Sequence, residues 1–94
     1  MKNFTYEELR LYIEQQLAAE INVLKCRSLC KKGNAVHLFI KLDEDICYEP
    51  YWRGGPLTFK KGDYLHADPK DFYGLTAATF ERCYIVEMPF SNAI

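Results

Sequence analysis

Four cysteines and two histidines are the side chains of this sequence best able to bind a metal ion or act as a nucleophile. Cys26 and Cys30 have a C-x3-C spacing. On a continuous strand these two side chains would share a face but lie about 13 Å apart, too far for a disulfide or a shared ion. Because the N-terminus does not resemble a signal peptide, we expect free thiols in a reducing compartment.

Thiol and zinc chemistry stay open as an alternative. A bend at Leu29 would bring the two cysteines of the C-x3-C pair together. Further zinc ligands, or a catalytic Cys–His pair, would come from Cys47, Cys83, His37 and His66. The spacing of these four residues in the sequence does not indicate which cysteine and which histidine would act together. The sequence therefore predicts no catalytic residue, no metal ligand and no cofactor, with a zinc-binding or thiol-dependent small enzyme as the alternative.

A run of acidic side chains is the first candidate for a binding surface. Asp43, Glu44, Asp45 and Glu49 fall within residues 43–49, which contain no lysine or arginine. The run lacks the alternating ligands and the central glycine of a calcium loop. A spaced row of carboxylates can instead imitate nucleic-acid phosphates and occupy a basic protein surface. We therefore expect these acids to contact another protein.

Aromatic and basic side chains follow the acids directly. Tyr51, Trp52 and Arg53 belong to the residue types enriched at protein interfaces, so we expect them to anchor the same contact. Flat rings beside cations also suit single-stranded nucleic acid, and three nearby side chains would help to bind it: Tyr48, Lys60 and Lys61. Single-stranded nucleic-acid binding is therefore a second alternative.

Composition limits the class of protein. A chain of 94 residues that is 49% hydrophobic and 27% charged predicts one globular domain over residues 1–94. Its net charge of −1 and its pI near 6.1 lack the basic excess that drives binding to nucleic acid, so direct binding is the less expected mode. No apolar run reaches the roughly 18 residues of a membrane span. We expect a cytoplasmic protein that does not bind membranes.

The clearest local signal is the start of a helix. Thr5 and Glu8 form a Thr-x-x-Glu capping box, and Phe4 and Leu9 are placed to make the hydrophobic staple beside it. Apolar residues then recur every four positions. The pattern predicts an amphipathic helix over residues 6–19 that packs on a sheet.

The rest of the chain is typical of short strands. Residues 21–42 predict a hairpin, with Phe39 partly exposed on the face opposite Val36. Residues 46–88 predict a β-meander that contains a second hairpin around Gly62 and one short helical turn capped by Thr76. The expected fold is α+β, with the N-terminal amphipathic helix packed on a strongly bent antiparallel sheet or a small, partly open β-barrel of about six strands.

Residues 54–84 also resemble a known family. Gly62, Asp63 and Tyr64 open a strand, a Tyr-Gly strand follows at Tyr73, and a short helix ends in the Phe-x-x-x-Tyr pattern that begins at Phe80. This pattern resembles the PGDYG-type domain of small phage and prophage proteins. The resemblance implies a protein of a mobile element and supplies no catalytic residue.

Together these observations predict a non-enzymatic, phage- or prophage-encoded binding protein. Small phage proteins of this size include anti-CRISPR inhibitors, so the specific expectation is an inhibitor that blocks a host defence complex by steric or electrostatic occlusion. The expected partner is a host protein or nucleoprotein complex in the host cytoplasm. An uncovered strand edge would also allow a homodimer.

Overall fold

A computed structural model describes residues 1–29, 36–50 and 55–89 of the chain. Two helices and eight strands follow one another in the order β1 (Lys2–Phe4), α1 (Tyr6–Ala19), β2 (Val23–Ser28), β3 (Val36–Lys41), β4 (Ile46–Tyr48), β5 (Leu57–Phe59), β6 (Tyr64–His66), β7 (Gly74–Leu75), α2 (Ala77–Cys83) and β8 (Tyr84–Pro89).

Helix α1 begins where the capping box predicts. The Thr5 hydroxyl oxygen accepts a hydrogen bond from the Glu8 amide at 3.1 Å, and the Glu8 carboxylate accepts one from the Thr5 amide at 2.8 Å. The helix ends at Glu20, which adopts a left-handed conformation with φ 56°. Leu9 and Ile13 are its fully buried residues, so this face holds the helix against the sheets.

The strands form two sheets that do not close into a barrel. The larger sheet has the order β7-β6-β3-β2-β8 and is antiparallel throughout, and the smaller sheet has the order β1-β4-β5. Strand β1 runs parallel to β4. The α+β class and the bent-sheet alternative are confirmed. The sequence did not predict β1, because three residues carry no hydrophobic period and their partner lies more than 40 positions away.

The predicted hairpin around Gly62 is wrong, although its turn is present. Gly62 has φ 94°, and the Asp63 amide donates to the Lys60 carbonyl at 2.9 Å. Strand β5, however, pairs with β4, whereas β6 pairs with β3 and β7. The strands separate because the turn binds Leu42, whose carbonyl accepts from Gly62 and whose amide donates to the Asp63 carbonyl, both at 2.9 Å.

The strands of residues 46–88 therefore do not form the predicted β-meander, because consecutive strands are not all neighbours in one sheet. Its first two strands belong to the smaller sheet, and the last strand, β8, returns to pair with β2. Strands β2 and β3 do form the predicted antiparallel pair. The turn expected within residues 31–34 lies outside the described residues.

Each face of the larger sheet is covered by a different helix. On the first face, α1 and the smaller sheet bury a cluster that includes Ile13, Ile40 and Leu65. On the second face, α2 and its neighbours cover a cluster of Cys26, Phe39, Tyr64 and Phe80. Phe39 is fully buried, so the expectation that it is partly exposed was wrong.

Helix α2 explains the burial of Phe39. Thr76 caps this helix as predicted, accepting from the Thr79 amide at 3.3 Å, and the helix runs for seven residues. Phe80 projects from it onto Phe39, with ring centroids 5.2 Å apart. The sequence indicated one helical turn but not which face of the sheet that turn covers.

A close contact joins the two sheets at Gly74. A side chain at this position would overlap the ring of Phe59, the last residue of β5 in the smaller sheet, which packs against the first cluster. We expect Gly74→Ala to lower the free energy of unfolding by about 1–3 kcal/mol, because an added methyl group forces the ring out of a filled space. Urea denaturation measures this loss.

The double variant with Phe59→Leu tests the cause of that loss. A smaller side chain at residue 59 leaves room for the methyl group, so the two substitutions together should cost less than the sum of their separate costs. Strictly additive costs would contradict the contact.

Candidate functional site

The acidic loop (residues 43–45) joins β3 to β4, and Asp45 holds it in place from two sides. The Asp45 carbonyl accepts a hydrogen bond from the Lys2 amide of β1 at 3.0 Å. Its carboxylate accepts one from the Lys61 amide in the turn after β5 at 2.8 Å. Asp45 therefore has a structural role in addition to its charge.

The other two acids of the loop lie on the surface. Asp43 and Glu44 are exposed, and the Asp43 carboxylate accepts a hydrogen bond from the Asn22 side-chain amide at 3.4 Å. Tyr12 of α1 lies near them. Burial raises the pKa of Tyr12, and the negative charges of Asp43 and Glu44 raise it further. The loop thus presents two exposed carboxylates beside a half-buried phenol.

Glu49 does not continue this row. It follows the C-terminal end of β4, whereas Asp45 precedes the first residue of that strand, so about 13 Å of extended chain separates the two. Glu49 instead lines a groove of about 360 Å³ with Phe4, Glu8 and Cys47 among its walls. The four predicted acids therefore form a group of three and one isolated member.

The aromatic predictions have a mixed outcome. Tyr51, Trp52 and Arg53 lie outside the described residues. Tyr48 is 1% exposed and belongs to the first core cluster, so its predicted part in stacking on a nucleic-acid base is wrong. Lys60 is exposed in the turn after β5. Of the residues proposed to bind single-stranded nucleic acid, the lysines are therefore exposed, whereas the ring of Tyr48 is not available for stacking.

Two of the described thiols, Cys26 and Cys47, are poorly placed for a catalytic Cys–His pair. Cys26 lies directly opposite His37 in the β2–β3 pair, but it is fully buried. Burial raises the pKa of the Cys26 thiol to about 11, with a smaller contribution from the charge of Glu87, so the reactive thiolate is scarce at neutral pH. Cys47 lies in the groove beside Glu49, where no described wall residue is a histidine.

The described part of the chain contains no complete set of zinc ligands. No three Cys, His, Asp or Glu side chains come together there. Cys30, the second cysteine of the C-x3-C pair, lies outside residues 1–29, 36–50 and 55–89.

A cluster of imidazole and phenol rings on the second face was not predicted. The rings of His37 and His66 have centroids 5.8 Å apart, and His66 stacks on Tyr73 at 4.6 Å. The Asp71 carbonyl lies 2.7 Å from His66 Nδ1, so this nitrogen is the protonated one in neutral His66. Burial, followed by a hydrogen bond with Tyr84, raises the pKa of Tyr73.

This ring cluster borders a cleft of about 420 Å³ between β3 and the loop after β6. No sequence signal could have found it, because His37 and His66 are brought together by the nonlocal pairing of β3 with β6. Its contacts with Phe39 make it part of the packing of the second face.

The fold and site define a small α+β domain with two sheets, an exposed acidic loop and two surface hollows. Comparison of the chain with protein-family models, with curated proteins and with solved structures gives no match. The resemblance to the PGDYG-type domain stays a prediction. Neither helix in the described part of the chain has the length and apolar character needed to cross a membrane.

The structural role of Asp45 predicts a difference between neighbouring acids. Asp45→Ala should lower the free energy of unfolding by about 1 kcal/mol, because the Lys61 amide loses its partner. Glu44→Ala should change it by less than about 0.5 kcal/mol. Urea denaturation of the two variants gives both values, and equal losses would contradict the role assigned to Asp45.

The burial of Cys26 predicts slow alkylation. At pH 8 a thiol with a pKa near 11 has about a hundredfold less thiolate than one with the ordinary value of 9.0. Iodoacetamide should therefore label Cys26 at least tenfold more slowly than Cys47 in the native protein, as followed by peptide mass spectrometry. Denaturant should abolish the difference. Equal native rates would contradict the burial of Cys26.

Proposed function

We propose that the chain is a non-enzymatic binding protein that inserts its acidic loop into a basic surface of a partner and thereby blocks that surface. The observation that supports this proposal is the way the loop is built. Asp45 is fixed by β1 and by the turn after β5, and Asp43 and Glu44 remain exposed on the fixed backbone.

Rigidity matters because binding costs less entropy when the contacting groups are already ordered. A loop that is held at Asp45 and bonded through Asp43 to Asn22 loses little freedom when it meets a partner. Two carboxylates at adjacent positions also attract a cluster of arginines or lysines over a distance of about 8 Å at physiological salt. The partner surface is therefore one that normally binds phosphate groups.

We assign Tyr12 and the other predicted contact residues to the same contact with the partner. Tyr12 adds a half-buried ring beside Asp43 and Glu44. The predicted anchors Tyr51, Trp52 and Arg53 follow β4, the strand that the acidic loop precedes. Glu49 is assigned a secondary part, since it lies at the far end of that strand.

The biological setting of the proposal rests on the resemblance of residues 54–84 to small phage and prophage proteins. We propose that the partner is a nucleic-acid-handling component of a host defence complex, of the CRISPR type. Inhibition would then be competitive with nucleic acid, because the acidic loop takes the place of phosphates on the same basic surface.

Charge reversal at the two exposed acids tests the proposal. The chain is immobilised, proteins from a nuclease-treated bacterial lysate are captured, and the strongest captured protein is purified. We expect Asp43→Lys with Glu44→Lys to weaken its Kd at least tenfold, about 1.4 kcal/mol, and duplex DNA to release it. Asp45 is left unchanged because its substitution would also disturb the fold.

A matched control has the same change in charge elsewhere. Asp71→Lys with Glu81→Lys reverses two exposed acids, one before β7 and one on α2, and should leave the Kd within about twofold. An equal loss in both double variants, or an unchanged Kd for the loop variant, would overturn the proposal.

Phage plating on a bacterial strain with active CRISPR immunity tests the biological setting of the proposal. The wild-type chain should raise plating efficiency, and the loop variant should not.

A further inference from the structure

The ammonium group of Lys2 lies over two aromatic rings. Lys2 Nζ is 5.5 Å from the ring centroid of Phe4 and 5.8 Å from that of Tyr12, within the roughly 6 Å at which a ring attracts a cation. The rings of Phe4 and Tyr12 (the ring pair) also contact each other, with centroids 5.3 Å apart and planes inclined at 49°. Two inclined rings therefore share one positive charge.

The ring pair lies beside the acidic loop. Lys2 belongs to β1, and its amide donates to the Asp45 carbonyl at 3.0 Å. Tyr12 belongs to α1, and burial raises its pKa, as do the negative charges of Asp43 and Glu44. The Tyr12 phenol is therefore within reach of the charges of both carboxylates. A cation held over this ring is attracted by the ring and by the two acids together.

Lys2 holds its position on the rings only weakly. Its side chain is exposed, and the ion pairs among the described residues are made by Arg10 and Arg27 instead. An exposed contact between a cation and a ring favours the bound position by only about two- to fivefold. Another cation that brings additional contacts can therefore displace the Lys2 ammonium into solvent.

The chemistry of this position selects a positively charged group. The face of an aromatic ring is the negative part of its quadrupole, and the neighbouring carboxylates are negative as well. Phosphate or carboxylate groups would be repelled by both. Because the exposed side chain of Lys2 reaches the rings from solvent, a side chain of another protein has the same route to them.

We propose that Phe4 and Tyr12, with the acidic loop beside them, bind the guanidinium group of an arginine of the partner, and that Lys2 occupies this position until the partner binds. The inference rests on the proposed function, since it names the group that the ring pair takes when the loop meets a basic surface. Arginine is favoured over lysine because its planar, weakly hydrated guanidinium stacks on rings.

A small probe tests the site without any partner. Nα-acetyl-arginine amide carries one guanidinium charge, and its citrulline analogue has nearly the same shape without the charge. At constant ionic strength the arginine compound should shift the NMR signals of the Phe4 and Tyr12 rings with a Kd of about 10–100 mM, and the citrulline compound should not. Unchanged ring signals at about 100 mM, or equal shifts with the two compounds, would overturn the proposal.

Removal of Lys2 tests the competition. Lys2→Ala keeps the amide that binds Asp45 and should tighten the Kd of the arginine compound about two- to fivefold, because the rings are then unoccupied. Lys61→Ala is the matched control. It removes the same charge from a second residue whose amide binds Asp45, and it should leave the Kd within about 1.5-fold. Equal effects of the two substitutions would contradict the role assigned to Lys2.

Substitution of Tyr12 tests the ring itself. Tyr12→Leu should weaken the Kd of the arginine compound about two- to fivefold, whereas Tyr12→Phe keeps a ring and should leave the Kd within about 1.5-fold. Circular dichroism checks that both variants fold. If Tyr12→Leu does not fold, the comparison of Lys2→Ala with Lys61→Ala still decides the question. Unweakened binding by a folded Tyr12→Leu variant would refute the site.

The captured partner separates this inference from the proposed function. Tyr12→Leu should weaken the complex, and Lys2→Ala should strengthen it. If the complex responds to Asp43→Lys with Glu44→Lys but to neither of these substitutions, the acidic loop keeps its proposed function and the arginine site is overturned. If the arginine compound binds the rings but the complex does not respond to the loop variant, the proposed function fails and the cation site stands.

Discussion

The structure depends most on the hydrogen bonds of Asp63. Its amide donates to the Lys60 carbonyl and its carbonyl accepts from the Leu42 amide. Its carboxylate accepts from two further amides, those of Lys60 and of Ala77 at the start of α2. One residue therefore closes a turn, attaches that turn to the end of β3 and orients the helix that covers the second face of the larger sheet.

The same turn connects the fold to the acidic loop. Because its backbone binds Leu42, β5 and β6 must diverge into different sheets, and the Lys61 amide comes to lie against Asp45. Asp43 and Glu44 are then carried on a backbone that is fixed at Asp45. The exposure of Asp43 and Glu44 therefore depends on the turn around Gly62 as well as on the acidic loop itself, because the turn holds the loop backbone at Asp45.

Burial of both faces of the larger sheet limits where function can lie. The first face is packed against α1 and the smaller sheet, and the second against α2 and the ring cluster of His37, His66, Tyr73 and Tyr84. Cys26 is buried within the second face, where it packs in the cluster with Phe39, and this burial raises the pKa of its thiol. The acidic loop and the two hollows lie on the surface of the described residues. These are features for binding, which is why binding is the function proposed.

The sequence alone determined the parts whose causes are local. Thr5 and Glu8 specify the start of α1, Thr76 the start of α2, and Gly62 the turn that needs a positive φ. Local signals also indicated the acids, since their charge requires no partner. Tertiary structure decided the rest: that β5 and β6 separate, that Phe39 and Tyr48 are buried, and that Glu49 stands apart from Asp45. The physical reason is that a two-residue period shows which side chains share a face but not which faces are later covered. Strand partners distant in sequence are chosen by the packing of the whole chain.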